Sequence, residues 1–175
     1  MERFKGKYRV ASARLPEWDY AQNGAYFVTI CTALRIHAFG EIEHGQMVCT
    51  PLGQAVADAW NEITVHFPVA RVDAFIVMPN HVHGIIVIDK PVEPQNIASP
   101  PPGANQFGPQ RQNLAAIVRG YKIGVTKFAR QNQMVFSWQE RYHEHVIRNP
   151  EEHERIWNYI HANPQGWAED QLFSA

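Results

Sequence analysis

Read for the spacing of its apolar positions, the chain alternates between two periods. Ala25-Tyr26-Phe27-Val28-Thr29-Ile30-Cys31-Thr32 is aromatic and β-branched, and predicts a strand. Residues 38–42 and 46–49 predict a short hairpin turning at His44-Gly45. Over 52–66 the period becomes helical, with Leu52, Ala55, Val56, Ala59, Trp60 and Ile63 on one face, behind a Thr50-Pro51 start. Two strands follow, Val72–Met78 and His81–Ile88, punctuated by Pro79-Asn80 and therefore expected to pair. A second helix is predicted over 112–131 from Leu114, Ile117, Val118, Tyr121, Val125 and Phe128, then a strand over 142–147. Asn149-Pro150-Glu151-Glu152 has an N-cap, a first-turn proline and a capping-box glutamate, opening a third helix that ends near Ala162, before Asn163-Pro164.

Without the small hairpin the order is β-α-β-β-α-β. This predicts an α+β, ferredoxin-like antiparallel sheet with helices on one face, and an extra C-terminal helix free to cross the other. We read residues 1–175 as one domain, with 1–24 an irregular arm and 91–110 a Pro-rich loop. That loop carries six of the chain's 12 prolines and Glu93 as its one charge.

Composition adds an asymmetry. The net charge of −1 does not advertise a polyanionic partner. Locally, however, residues 1–14 carry five basic groups against one acid, and residues 111–148 carry seven against two. The second stretch includes Arg119, Lys122, Lys127, Arg130, Arg141 and Arg148, a distribution suited to a phosphate-facing surface. No apolar run approaches the roughly 20 residues of a membrane span, and the first residues lack a signal peptide's apolar stretch. The expectation is a cytoplasmic protein without a membrane partner. Cys31 and Cys49 form no CxxC pair.

The sharpest chemical feature is His81-Val82-His83. On a strand, positions i and i+2 face the same way, so both imidazoles can converge on one ion while Val82 faces packing. The neighbouring turn is expected to leave them open to solvent and substrate. Tyr159 and Asn163, four residues apart on the last helix, share a face. A phenol with a pKa near 10 is a poor nucleophile. Beside a divalent ion and a phosphodiester it can attack phosphorus, with Asn163 as a third ligand. Tyr121 and Tyr142 compete with Tyr159, and His143 and His145 form a second pair with the same spacing.

Phe75-Ile76-Val77-Met78-Pro79-Asn80-His81-Val82-His83-Gly84-Ile85-Ile86 strongly resembles the histidine-hydrophobic-histidine block of HUH single-strand DNA transposases. Tyr26–Ile30, Ile117–Lys122 and Trp138–Arg148 resemble blocks of the REP-associated tyrosine transposases within that family, as does Tyr159-Ile160-His161-Ala162-Asn163-Pro164. The resemblance spans about residues 8–167. It implies a ferredoxin-like fold, a divalent metal (Mg²⁺ or Mn²⁺) on His81, His83 and Asn163, and Tyr159 as catalytic nucleophile. It further implies single-stranded or hairpin DNA with REP-like repeats as partner, a 5′-phosphotyrosine and a free 3′-hydroxyl, and a monomer or homodimer. Two other readings stand beside it: a domesticated hairpin-binding protein without productive cleavage, and a metal-dependent hydrolase of small phosphoesters in a closed pocket.

Overall fold

The computed structural model describes residue 20, residues 22–91 and 112–170, and residues 172 and 173. The N-terminal arm, apart from its last few positions, and nearly all of the Pro-rich loop lie outside the described residues. Four strands form one antiparallel sheet: β1 (Gly24–Cys31), β4 (Ala70–Met78), β5 (His81–Ile88) and β6 (His143–Ile147), in the order β4-β5-β1-β6. β1 is central, with Thr29 opposite His83 of β5 and also opposite His143 of β6. β5 lies between the parallel pair β1 and β4, which is the split βαβ arrangement of the ferredoxin-like fold. β2 (Gly40–Glu43) and β3 (Gln46–Cys49) form the separate hairpin. Its turn places both His44 and Gly45 at positive φ, 52° and 74°, which matches the twist of a two-residue hairpin.

The sheet is covered on both faces. Tyr26, Val28 and Ile30 of β1 and Val82, Ile86 and Ile88 of β5 pack against α1 (Pro51–Asn61) and α3 (Leu114–Gln131). Leu52, Val56 and Trp60 of α1 and Leu114, Ile117, Val118, Tyr121 and Val125 of α3 complete that core. On the opposite face Ile85 and Ile147 pack against Ile156 and Ile160 of α4 (Pro150–Ala162). Alternation along β5 puts Val82 in the first core and both histidines on the α4 face.

The helix expected over 52–66 is divided. α1 ends at Asn61 and α2 spans Ile63–His66, with Glu62 between them at ψ −11°. The β-branched run Ile63-Thr64-Val65 and the nearby Pro68 are poor continuations of a helix. The Thr50-Pro51 and Asn149-Pro150 starts are found as expected, and the helix expected from 112 begins at Leu114. Thr50, Asn113 and Asn149 each accept from a backbone N–H three residues on. Glu152 Oε2 also accepts from the Arg148 N–H, one residue earlier than in the usual box.

Trp60 lies flat over Gly84, stacked on Phe75 at 4.5 Å and edge-on to Tyr121 at 5.5 Å. A Cβ on Gly84 would stand 2.3 Å from Trp60 Cζ2. Gly84→Ala is therefore expected to destabilise the fold by about 1–3 kcal/mol, as overpacking does. The shift of the urea unfolding midpoint measures it.

Candidate functional site

His81 and His83 are almost fully buried, at 0% and 3% exposure, and their Nε2 atoms stand 3.0 Å apart. The expected access beside the turn is not found. Pro79 O accepts from Phe39 N, Asn80 O accepts from Thr32 N, and segment 32–39 thereby closes over the turn. Access comes from the α4 face instead. An open cleft of about 1000 Å³ there is lined by Phe27, Thr29, His83, His143, Tyr159, Asn163 and Asp170, among others.

Hydrogen bonds orient both rings. The Asn80 amide donates to the carbonyls of Arg35 (3.2 Å) and Leu172 (2.8 Å), so its Oδ1 accepts from His81 Nδ1 at 2.8 Å. That leaves the lone pair of His81 on Nε2. Thr29 Oγ1 lies 2.8 Å from His83 Nδ1. Burial lowers the pKa of His81 to about 3, with help from the Arg35 charge. Burial also lowers that of His83 to about 3, with further contributions from His81 and His143 and an opposing one from Asp170. Both imidazoles are thus neutral and able to act as metal ligands at ordinary pH.

α4 carries Tyr159 to the pair. His153 Nε2 donates to Asp73 Oδ2 of β4 at 2.7 Å, and His145 Nε2 of β6 donates to Glu152 Oε1 at 2.8 Å. These contacts fix the first half of the helix across the sheet. Tyr159, 47% exposed, then points its hydroxyl to within 3.3 Å of His83 Nε2. Its ring meets Phe27 edge-on at 6.2 Å. Burial and the Asp170 charge raise the Tyr159 pKa, and a hydrogen bond from Asn163 opposes them. Asn163 is buried, and its Oδ1 has no hydrogen-bond partner.

The residues present fit a divalent ion. Donors at right angles, about 2.1 Å from one ion, stand about 3.0 Å apart, the spacing of the two Nε2 atoms. An orphaned amide oxygen in the same cleft is a further donor seeking a partner. Of the competing residues, Tyr121 is buried on the other face of the sheet, donating to Val56 O. Tyr142 packs against that same core. His143 and His145 line the cleft but are exposed, and His145 bonds to Glu152.

Arg119, Lys122, Lys127 and Arg130 line a second groove of about 650 Å³ along α3, with Tyr142 in its wall. This groove and the cleft lie on opposite sides of the sheet. Lys122 Nζ donates to Gln139 O at 2.7 Å, tying α3 to the segment before β6. Arg141 and Arg148 are exposed, beyond either end of β6. Sequence reasoning passed over Arg35 and Asp170. Leu34 and Arg35 adopt left-handed φ values of 55° and 56°, a sparsely populated conformation for such residues, and the Arg35 carbonyl accepts from the Asn80 amide that orients His81.

A protein of Haemophilus influenzae of uncharacterized function is 40% identical over 172 residues, covering 96% of this chain and 95% of its own. The two chains belong to one family. The match spans nearly the whole of both, so the histidine pair and α4 fall within the shared region. No protein-family model matches the chain. Among solved structures, a REP-associated tyrosine transposase bound to a REP hairpin is similar at a TM-score of 0.56. It is 21% identical, and the match covers 94% of this chain and 76% of the other. This chain therefore shares the fold of that transposase. No helix among the described residues is long and apolar enough to cross a membrane.

Proposed function

We propose that this protein cuts and rejoins single-stranded or hairpin DNA, with Tyr159 as nucleophile and a divalent ion, Mg²⁺ or Mn²⁺, held by His81, His83 and Asn163. The observation that carries the reading is the Tyr159 hydroxyl 3.3 Å from His83 Nε2, at an open cleft of about 1000 Å³. A closed pocket, as a small phosphoester would need, does not match this setting. The hairpin-bound transposase of the same fold supports DNA as the partner.

In the reaction the Tyr159 oxygen attacks the phosphorus, and the phenol's proton passes, in net, to the leaving 3′ oxygen. A tyrosine–phosphate bond forms, the bond from phosphorus to the 3′ oxygen breaks, and a 3′-hydroxyl leaves. Attack of a 3′-hydroxyl on the phosphotyrosine reverses the step and rejoins strands. The bound ion supplies positive charge against the phosphate and the phenolate. Phe27 and His83 position the tyrosine ring, at 6.2 and 5.3 Å between centroids, and Asn163 donates to its oxygen.

The test is to incubate the chain with a hairpin-bearing single-stranded oligonucleotide and Mn²⁺. A denaturing gel should show a covalent adduct that chelator prevents, and proteolysis should map it to the α4 peptide. The second groove, with Arg141 and Arg148, is assigned to the phosphate backbone on the far side of edge strand β6. If those six cations each meet a phosphate, raising salt from about 50 to 200 mM weakens binding by roughly 10²–10³-fold. Fluorescence anisotropy measures this, and a flat salt response overturns the assignment.

A further inference from the structure

Resting on the reading of His81 and His83 as the grip of a divalent ion, we propose that Asp170 supplies a carboxylate ligand to that ion from the chain's own C-terminal segment. One donor atom from each of His81, His83 and Asp170 lies within 4.8 Å of the other two. Among the described residues, they are the one set of three histidine, cysteine or acidic side chains gathered so closely.

Asp170 is held in place there. After α4 the chain winds through a 3-10 segment, Asn163–Glu169, whose buried Trp167 packs on the His81 ring at 5.9 Å and on His37 at 5.6 Å. Phe173 packs edge-on to Trp167 at 5.3 Å. Leu172 is fixed at both backbone polar groups. Its carbonyl accepts from Asn80 Nδ2 at 2.8 Å, and its N–H donates to Asp170 Oδ1 at 2.6 Å. Asn80 therefore orients His81 with one end of its amide and anchors the Asp170 segment with the other. The hydrogen bond from Leu172 to Oδ1 holds the carboxylate in place and leaves acceptor positions on the group for an ion.

The chemistry of the donor set points the same way. Both imidazoles are neutral and give a buried dication no compensating charge. Asn163 offers an oxygen but no charge. Magnesium and manganese prefer oxygen donors, and carboxylates above all. Two imidazoles and one carboxylate supply that oxygen and one negative charge, and leave positions for phosphate oxygens and water.

Mn²⁺ titration of the full-length chain, with free metal read by electron paramagnetic resonance, tests this. Asp170→Asn retains the Oδ1 acceptor and the shape, and removes the charge. It is expected to weaken Mn²⁺ binding by at least about tenfold, the smallest loss usual even for an outer partner of a metal site. Asp170→Glu should recover part of that loss, and Glu169→Gln none of it, because it should lose none. Circular dichroism and the melting temperature of the metal-free variants should match wild type. Unchanged Mn²⁺ affinity in Asp170→Asn, beside lost binding in His83→Ala, overturns the role of Asp170 and leaves the histidine site standing. A wild-type chain that takes up no Mn²⁺ at millimolar concentration overturns both.

Discussion

Replacing Tyr159 with phenylalanine is expected to eliminate the covalent DNA adduct and to lower strand cleavage by roughly 10⁴-fold or more, the scale of losing a nucleophile. The substitution removes one oxygen and little else. The ring keeps its edge contact with Phe27 and its place beside His83. With Tyr159 47% exposed, the fold should lose no more than about 1 kcal/mol. DNA affinity, carried by the cations on the far side of the sheet, should stay within a few-fold. Tyr121→Phe serves as a control, since its side chain is buried in the other core. An adduct that survives in Tyr159→Phe removes Tyr159 from the nucleophile's role. The pH profile has a definite sign. The phenol's pKa is raised from 10, so at neutral pH without metal almost all of it is protonated. If phenolate formation limits the rate, cleavage climbs about tenfold per pH unit until that pKa, shifted by whatever ion is bound, is reached.

How much of this was readable in the sequence depends on the range of each interaction. Alternation along Phe75–Ile88 gave the two strands and put His81 and His83 on one face, because strand geometry is local. Asn149, Pro150 and Glu152 marked the start of α4 for the same reason. Four-residue spacing put Tyr159 and Asn163 in one cleft wall. What failed to show was set by distant chain. The Pro79-Asn80 turn looked exposed, and it is buried because residues 32–39 and the carbonyl of Leu172 bond to it. Asp170 sits in a polar stretch after Trp167 with no periodicity to mark it. Only the return of the chain beneath Asn80 brings it to the histidines. The strained Leu34-Arg35 pair gave no signal either, since neither residue type favours positive φ. The break at Glu62 lay closer to reach, in the β-branched run that follows it.

Acid should unfold the metal-free protein sooner than its composition suggests, because His81 and His83 stay neutral only while they are buried. Their folded pKa values are lowered from 6.5 to about 3. An unfolded chain therefore binds more protons at these two positions between those limits. The sign follows from linkage: the stability is fully present above pH 6.5 and is lost as pH falls toward 3. Each ring contributes a slope of on the order of 1 kcal/mol per pH unit. Two rings over two pH units make several kcal/mol, a large part of an ordinary domain's stability. Urea denaturation from pH 7 to 4 measures it. His81→Asn together with His83→Asn should flatten the curve even if it lowers stability at pH 7. Mn²⁺, which binds the neutral rings, should move the loss to lower pH by an amount that grows with its concentration. If the midpoint shows no more acid dependence in wild type than in the double variant, the rings are already charged or solvated in the folded state. The same neutral, converging pair could not then be the grip on which the proposed chemistry depends.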